Sequence, residues 1–200
     1  MSKIIIYFVR FIFLGLIFFE GANLFKILHF TLDFSWLGLV LTAIAVWFIL
    51  EFVKYISQKK YHYNFPVFIF IIPTINILFD AFGDIFHLYS RINGYDKIMH
   101  FFGGAAACSL AFFILKGIFL RRDLFLSNKF IGFFSFLIAN FLGILYELEE
   151  FFESLFLHNN RLGDRFDTPG DLFFNMMGAL VGVLIVLIIQ RARDLGKNKK

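Results

Sequence analysis

Six long apolar segments, joined by short polar connections, dominate this 200-residue chain. Each comes close to the roughly 20 residues that a helix needs to cross about 30 Å of hydrocarbon. Apolar residues make up 60% of the chain and charged residues 17%, which excludes a soluble domain, a disordered chain and a nucleic-acid-binding module. We therefore predict an all-α fold, with one integral membrane domain over residues 1–200 that forms a polytopic transmembrane helix bundle. The predicted spans are residues 4–19, 35–56, 65–82, 97–120, 129–157 and 171–191.

Charged residues are divided unevenly between the two sides of these spans. If six helices alternate in direction, 14 of the 19 basic residues and 3 of the 15 acidic residues fall on the side of both termini. The opposite side carries 12 of the 15 acidic residues. Because cytoplasmic loops are enriched in Lys and Arg, we predict cytoplasmic N- and C-termini. The protein is then a multi-pass protein of the cell inner (plasma) membrane with an acidic extracytoplasmic side.

Ionisable residues collect where the third and fourth spans meet the acidic side, and such residues in membrane bundles commonly mark function. Asp80, Asp84 and His87 are spaced by four and three residues. This spacing places them on one helical face if the third helix continues that far. Asp96 and His100 lie one turn apart at the start of the fourth span. The sequence therefore predicts two polar groups at neighbouring helix ends.

The fifth and sixth spans carry further acidic residues at the same side. Glu147 and Glu150 share one face near the end of the fifth span. Asp164, Asp167 and Asp171 precede or open the sixth span. Together with the groups on the third and fourth spans, they predict one polar cluster at the acidic side.

The start of the sixth span also has residues with structural interpretations. Thr168 fits an N-cap and Pro169 the first helical position. Asn175 lies a turn inside the apolar span, on one stripe with Gly178 and Gly182. Small residues permit close helix approach in membranes, so we predict that Asn175 is a structural polar residue that hydrogen-bonds across a helix contact.

Two histidines and several carboxylates at one wet cavity favour a divalent metal ion as cofactor. Imidazole with carboxylate suits zinc, manganese or iron, whereas oxygen ligands alone suit magnesium or calcium. Such an ion can lower the pKa of a bound water for hydrolysis. The alternative is a water-filled acidic vestibule, with Arg91, Lys97, Arg161 and Arg165 pairing some of the acids. The candidate metal ligands are Asp80, Asp84, His87, Asp96, His100, Glu147, Glu150, Asp164, Asp167 and Asp171.

These motifs resemble the YjdF-like family of bacterial inner-membrane proteins over residues 65–186. The similar final stretch, from Asp171 through Asn175 to Gly182, also resembles the last helix of VanZ-like proteins, which implies a link to the bacterial cell envelope. Neither resemblance implies a known catalytic residue. The matching residues are Asp80, His87, Tyr95-Asp96-x-x-x-His100-Phe101-x-Gly103, Tyr146-Glu147-x-x-Glu150 and Gly163-Asp164-x-x-Asp167-Thr168-x-x-Asp171-Leu172-x-x-Asn175-x-x-Gly178-Ala179.

Three functions are compatible with these patterns. The first is a metal-assisted enzyme that acts on an envelope or lipid head-group substrate, with His87, His100, Glu147 and Glu150 as catalytic ligands or acid–base groups. The second is a small transporter or ion-binding membrane protein, and the third is a structural partner in an envelope complex. The expected partner is membrane lipid, and no nucleic acid is expected. A transporter needs polar groups near mid-membrane, for which the candidates are Pro73, Thr74, Asn76 and Asn140.

Overall fold

The computed structural model describes residues 3–59, 66–157 and 161–197, and over these ranges the chain is helical without a strand. All helices but the fourth are long and apolar enough to cross a membrane. The prediction of an all-α bundle with six spans is therefore confirmed. The helices are α1 (Lys3–Leu24), α2 (Trp36–Lys59), α3 (Phe68–Ile85), α4 (Leu88–Arg91), α5 (Tyr95–Arg121), α6 (Asn128–Leu157) and α7 (Asp167–Lys197).

The outer surface of the helices is rich in exposed apolar side chains. Phe8, Phe48 and Phe133 are 63%, 70% and 58% exposed. A soluble protein rarely exposes contiguous apolar surface of this kind, whereas in a bilayer the same side chains face hydrocarbon. The 33 phenylalanines are therefore explained in part by lipid contact.

The bundle has two chemically different ends. The acidic end is formed by the C-terminal ends of α1, α3 and α6 and the N-terminal ends of α2, α5 and α7, and the basic end lies opposite. Towards the basic end, Arg10 of α1 makes two hydrogen bonds of 2.5 Å to the carboxylate of Glu51 on α2. Lys116 of α5 donates to Gln190 of α7 at 2.6 Å. These bonds connect α1 with α2 and α5 with α7 towards the basic end.

Helix α5 is central, because it packs extensively against α7, α6 and α3. The α5–α7 contact depends on small residues. A Cβ atom added at Gly178 would overlap the backbone carbonyl of Phe101, and one at Gly182 would lie 2.7 Å from the carbonyl oxygen of Ala105. Glycine at these positions allows the two backbones to approach closely, as small residues do in membrane helix pairs.

We expect Gly178→Val to destabilise the bundle by about 1–3 kcal/mol, because the added side chain must push α7 away from α5. The matched control is Gly15→Val in α1, where a Cβ would meet no atom within 4 Å. Thermal unfolding in detergent, followed by near-UV circular dichroism, measures both variants. Equal losses of stability would contradict the role of Gly178 in the α5–α7 contact.

The start of α7 differs from the prediction. Thr168 was the predicted N-cap, but α7 begins at Asp167, so Thr168 and Pro169 both lie in the first helical turn. The prediction of the N-cap was wrong because Asp164 forms the turn that leads into the helix. Its Oδ1 accepts a hydrogen bond of 2.7 Å from the backbone N–H of Phe166, which is the local bonding that makes Asp favourable in turns.

Candidate functional site

His100 lies at the centre of the polar residues of the acidic end. Its ring is buried one turn into α5, and its Nε2 atom is 3.6 Å from Asp96 Oδ1 on the same helix and 3.6 Å from Glu147 Oε1 on α6. The ring of Tyr146 lies edge-on to the imidazole, with centroids 5.6 Å apart. The predicted one-turn pairing of Asp96 with His100 therefore extends across a helix interface.

Three helices bring metal-ligating atoms together around this imidazole. The groups are Asp96 with His100 and Glu150, then His100 with Glu147 and Asp171, and finally Asp96 with Asp167 and Asp171, and within each group the ligand atoms lie within 4.8 Å of one another. We call these six residues the His100 cluster. It contains the predicted ligands of α5, α6 and α7, which are Asp96, His100, Glu147, Glu150, Asp167 and Asp171.

Several atoms of the His100 cluster are buried without a hydrogen-bond partner in the part of the chain that the structure describes. They are both carboxylate oxygens of Glu147, Oδ1 of Asp171 and Nε2 of His100. A buried polar atom without a partner costs about 1–3 kcal/mol. These atoms come from α5, α6 and α7, and all belong to one group of possible ligands. A cation shared by these atoms would satisfy them, as would hydrogen bonds between Thr168 and Glu147 and between Asp96 and Asp171.

The donor set suits a divalent transition metal. Zinc is usually tetrahedral and bonds to imidazole nitrogen and carboxylate oxygen at about 2.0–2.2 Å, so its ligand atoms lie about 3.4 Å from one another. His100 Nε2 and Glu147 Oε1 are 3.6 Å apart, close to that spacing. A ligand atom of Asp171 lies within 4.8 Å of ligand atoms of both residues. Mixed nitrogen and oxygen ligands favour zinc, manganese or iron over magnesium or calcium.

Asn175 supports the His100 cluster from one turn deeper in α7. Its Nδ2 donates to the backbone carbonyl of Ala139 on α6 at 3.4 Å. A Cβ added at Gly104 would overlap the backbone oxygen of Asn175, and one added at Gly143 would overlap the amide side chain. These two glycines let α5 and α6 close around Asn175. The close approach is what places carboxylates of α6 and α7 next to His100.

Arg161 is the main cation beside the cluster. It lies in the connection between α6 and α7, and its Nε atom is 3.2 Å from Glu150 Oε1 and 3.8 Å from Glu153 Oε2. Its Nη2 donates to the hydroxyl oxygen of Tyr146 at 2.6 Å, and the guanidinium stacks 4.5 Å from the ring centroid of Phe34. Burial lowers the pKa of Arg161, but the neighbouring Tyr146 and Glu150 raise it by more. The pKa of Arg161 therefore lies well above its usual value.

A cavity of about 400 Å³ opens beside the cluster at the acidic end. We call it the vestibule. Asp96, Glu150, Asp167 and Arg161 are among its lining residues, together with Lys97, whose Nζ is 3.4 Å from Asp167 Oδ1. Lys97 and Arg161 each pair with an acid, as expected for a water-filled acidic vestibule. The unpartnered atoms of His100 and Glu147 lie deeper and are not explained by it.

His87 does not lie on one helical face with Asp80 and Asp84. Helix α3 ends at Ile85, and His87 adopts a left-handed backbone conformation with φ of 58°. That part of the prediction was wrong because the offset of seven residues assumes an unbroken helix. The ring of His87 turns instead to the α1–α2 connection, where Nδ1 is 2.9 Å from Asp33 Oδ1 and Nε2 is 3.1 Å from Thr31 Oγ1.

Asp84 and Asp33 fasten the same connection. Oδ1 of Asp84 accepts hydrogen bonds from the backbone N–H groups of Asp33 and Phe34, at 2.7 and 2.9 Å. Burial raises the pKa of Asp33, but hydrogen bonds from His87 and from the backbone N–H of Ser90 lower it, and the result lies below the usual value. This group holds α1, α2 and α3 together, and it is separate from the three groups of ligand atoms around His100.

Asp80 and Asp164 lie at the edges of the site. Asp80 is buried and accepts a hydrogen bond from the hydroxyl of Tyr89. Burial, followed by the nearby carboxylate of Asp80, raises the pKa of Tyr89 well above its usual value. Asp164 is exposed and forms the turn before α7. Neither carboxylate belongs to the groups of ligand atoms around His100.

Two of the polar residues near mid-membrane, Thr74 and Asn140, bond within their own helices, whereas Oδ1 of Asn76 is buried without a hydrogen-bond partner in the described structure. The hydroxyl of Thr74 donates to the carbonyl of Phe70 at 2.6 Å, and the amide of Asn140 donates to the carbonyl of Phe136 at 2.8 Å. Helix α3 continues through Pro73 without a break. The broken helices that many transporters use at mid-membrane are therefore not a feature of α3.

Sequence reasoning missed Asp33 and Tyr89 and gave Arg161 only a pairing role. Each of the three makes contacts with residues distant in sequence, such as the 54-residue separation of Asp33 and His87. A lone acid before the second span gives no local periodicity from which a partner could be identified. Arg161 could have been identified from its position, because it is a basic residue close in sequence to the acidic end of the fifth span.

Comparison with known proteins places the chain in a family without assigning an activity. No curated protein matches it, and no solved structure does. One family model matches residues 5–192, and its description is "Predicted membrane protein (DUF2238)". This match includes nearly all of the six spans and is consistent with the resemblance to YjdF-like proteins, whereas the similarity to VanZ-like proteins stays a prediction. The chain belongs to this family of membrane proteins, DUF2238.

Proposed function

We propose that the protein is a metal-assisted membrane enzyme that acts on the head group of an envelope lipid at the extracytoplasmic face of the plasma membrane. The observation that carries this proposal is the convergence of His100, Glu147 and Asp171 from three helices, with their ligand atoms buried and unpartnered. A structural acidic patch needs no such atoms, because exposed carboxylates are solvated by water.

The residues of the His100 cluster divide by their surroundings. His100, Glu147 and Asp171 are buried and are the proposed ligands. A divalent cation held by these three residues would supply a water of lowered pKa as a nucleophile. Asp96 is the proposed proton acceptor, because it is partly exposed, lines the vestibule and lies 3.6 Å from His100. Arg161 orients Glu150 and offers positive charge to an anionic head group.

The position of the cluster favours this function over transport. The cluster lies at the acidic end, where α5 and α7 begin and α6 ends, next to an open vestibule. A head group in the outer leaflet reaches this level of the membrane. A transported ion needs a series of polar sites towards the basic end. Thr74 and Asn140 are engaged with their own helices, which leaves only Oδ1 of Asn76 unpartnered among the mid-membrane candidates.

A lipid-conversion assay tests the enzyme. Parent protein in vesicles of bacterial membrane lipid extract, supplied in turn with zinc, manganese or iron(II), is followed by liquid chromatography and mass spectrometry of the lipids. We expect one lipid class to change its head group with time, and a chelator to stop the change. Glu147→Gln removes a proposed ligand and is expected to slow the reaction by at least about 100-fold.

The matched control is Glu51→Gln, which makes the same chemical change towards the basic end, where Glu51 pairs with Arg10. Its rate is expected to equal that of the parent. If the protein binds metal but no lipid changes with any of the three cations, the enzymatic function is refuted and an ion-binding protein remains. A conversion that chelation and Glu147→Gln do not affect would overturn the role of the His100 cluster.

A further inference from the structure

A second and larger cavity, of about 630 Å³, opens between α2, α3, α5 and α6. We call it the lateral cleft. On α5 its lining runs from Asp96 to Leu115, which is about 28 Å of helix axis at 1.5 Å per residue. The hydrocarbon core of a bilayer is about 30 Å thick. The lateral cleft therefore extends along most of the apolar depth of the membrane.

The lateral cleft exists because α2 and α6 do not pack extensively against each other in the described parts of the chain, although α5 contacts both. Small residues line it on three of its four walls. Ala45 lines it from α2, Gly103 and Ala107 from α5, and Ala139 from α6. A Cβ added at Gly103 would meet only the amide of Asn76, at 3.8 Å. Position 103 thus borders free space.

The walls change in polarity along the cleft. Most of the lining is aliphatic, from Leu41 and Ile49 on α2 to Leu110 and Ile114 on α5. Water does not fill an apolar space of this kind. Only at the acidic end do ionisable side chains enter the lining, and these are Asp80, Tyr89, Asp96, His100, Tyr146 and Glu149.

Two residues, Asp96 and Tyr89, line both the lateral cleft and the vestibule. Asp96 is also a member of the His100 cluster. An apolar path within the membrane and a polar opening at its surface therefore meet at one carboxylate. An amphiphile has this combination of an apolar chain and a polar head.

We propose that the lateral cleft holds the hydrocarbon chain of one membrane lipid, with the head group of that lipid at the His100 cluster. The placement of the head group rests on the proposed function, whereas the placement of the chain rests on the cleft alone. One leaflet provides about half of the 30 Å of hydrocarbon, so the cleft is long enough to take a whole chain. A lipid that merely surrounds the bundle would not be aligned with Asp96.

Photolabelling tests the position of the chain. The probe is a phosphatidylglycerol with a diazirine at the end of one acyl chain, present as a trace in nanodiscs of phosphatidylethanolamine and phosphatidylglycerol that contain the parent protein. Peptide mapping is expected to find label on cleft residues of α2 and α5, such as Ile49 and Leu110. Label on outward-facing Phe133 and Phe141, which are 58% and 59% exposed, reports surrounding lipid.

Filling the cleft is expected to remove the specific label. Gly103→Phe directs a ring into the space and should lower labelling of Leu110 by at least about tenfold relative to Phe133, a change that corresponds to about 1.4 kcal/mol of binding free energy. Ala45→Phe fills the cleft from the opposite wall and should do the same if Gly103→Phe does not fold. Gly15→Phe, at an open position on α1, is the control and should label as the parent does.

The outcomes separate this inference from the proposed function. Equal labelling of cleft and outer surface in the parent, or labelling that neither cleft variant reduces, would overturn the chain site. Metal content is measured in the same samples. Specific labelling of the cleft without bound metal would support the chain site and oppose the metal-assisted enzyme. Bound metal with uniform labelling would oppose the chain site and support the metal site.

Discussion

Chelating the cation proposed for the His100 cluster is expected to lower the thermal unfolding midpoint of the purified protein by about 8–16 °C. A ligand present at about 1,000 times its Kd stabilises the folded state by about 4 kcal/mol, and each 1 kcal/mol shifts the midpoint by about 2–4 °C in a chain of this size. Without a cation, the carboxylates of Glu147 and Asp171 and their acidic neighbours repel one another at close range. Elemental analysis of the untreated protein is expected to find about one equivalent of zinc, manganese or iron.

His100→Ala is expected to abolish both the bound metal and the effect of chelation, because it removes the imidazole shared by two of the three ligand groups. His87→Ala is the matched control. Its ring is held by Asp33 and Thr31, so its metal content should equal that of the parent. Metal-free parent protein, or equal loss of metal in the two variants, would contradict a site centred on His100.

Replacing Arg161 by methionine is expected to reduce the free energy of unfolding by about 3–5 kcal/mol. The guanidinium is 3.2 Å from Glu150 and 3.8 Å from Glu153, and all three side chains are at most 9% exposed. Removing one partner of a buried ion pair leaves an uncompensated buried charge, which is the costly case. Arg161→Met also removes the hydrogen bond to Tyr146.

Thermal and urea unfolding in detergent measure this effect, with Arg165→Met as the control. Arg165 is exposed, and its guanidinium lies 4.6 Å from the ring centroid of Phe166, so its loss should change stability by no more than about 0.5 kcal/mol. Adding Glu150→Gln and Glu153→Gln to Arg161→Met should recover part of the lost stability, because no charge is then left unpaired. Equal effects of the two arginine substitutions would contradict a structural role for Arg161.

The local pairs within one helix could be predicted, and pairs across a helix end could not. Asp96 and His100 are four residues apart inside α5, and the structure keeps them 3.6 Å apart. Asp84 and His87 are three residues apart, yet a left-handed residue at position 87 sends the two side chains to different partners. Residues three or four apart share a face only where the backbone remains helical. The pattern of apolar residues does not show the two-residue interruption between α3 and α4.

The six spans and the separation of acidic from basic ends were determined by the sequence alone. Both follow from the energy of placing each residue in hydrocarbon or at its surface, which depends on the residue and hardly on its distant neighbours. The tertiary structure decided which acids converge. Glycine contacts such as Gly104 and Gly143 against Asn175 set how closely α5, α6 and α7 approach, and this approach brings Glu147 and Asp171 to His100. Packing of this kind depends on side chains far apart in the sequence, so only the folded chain reveals it.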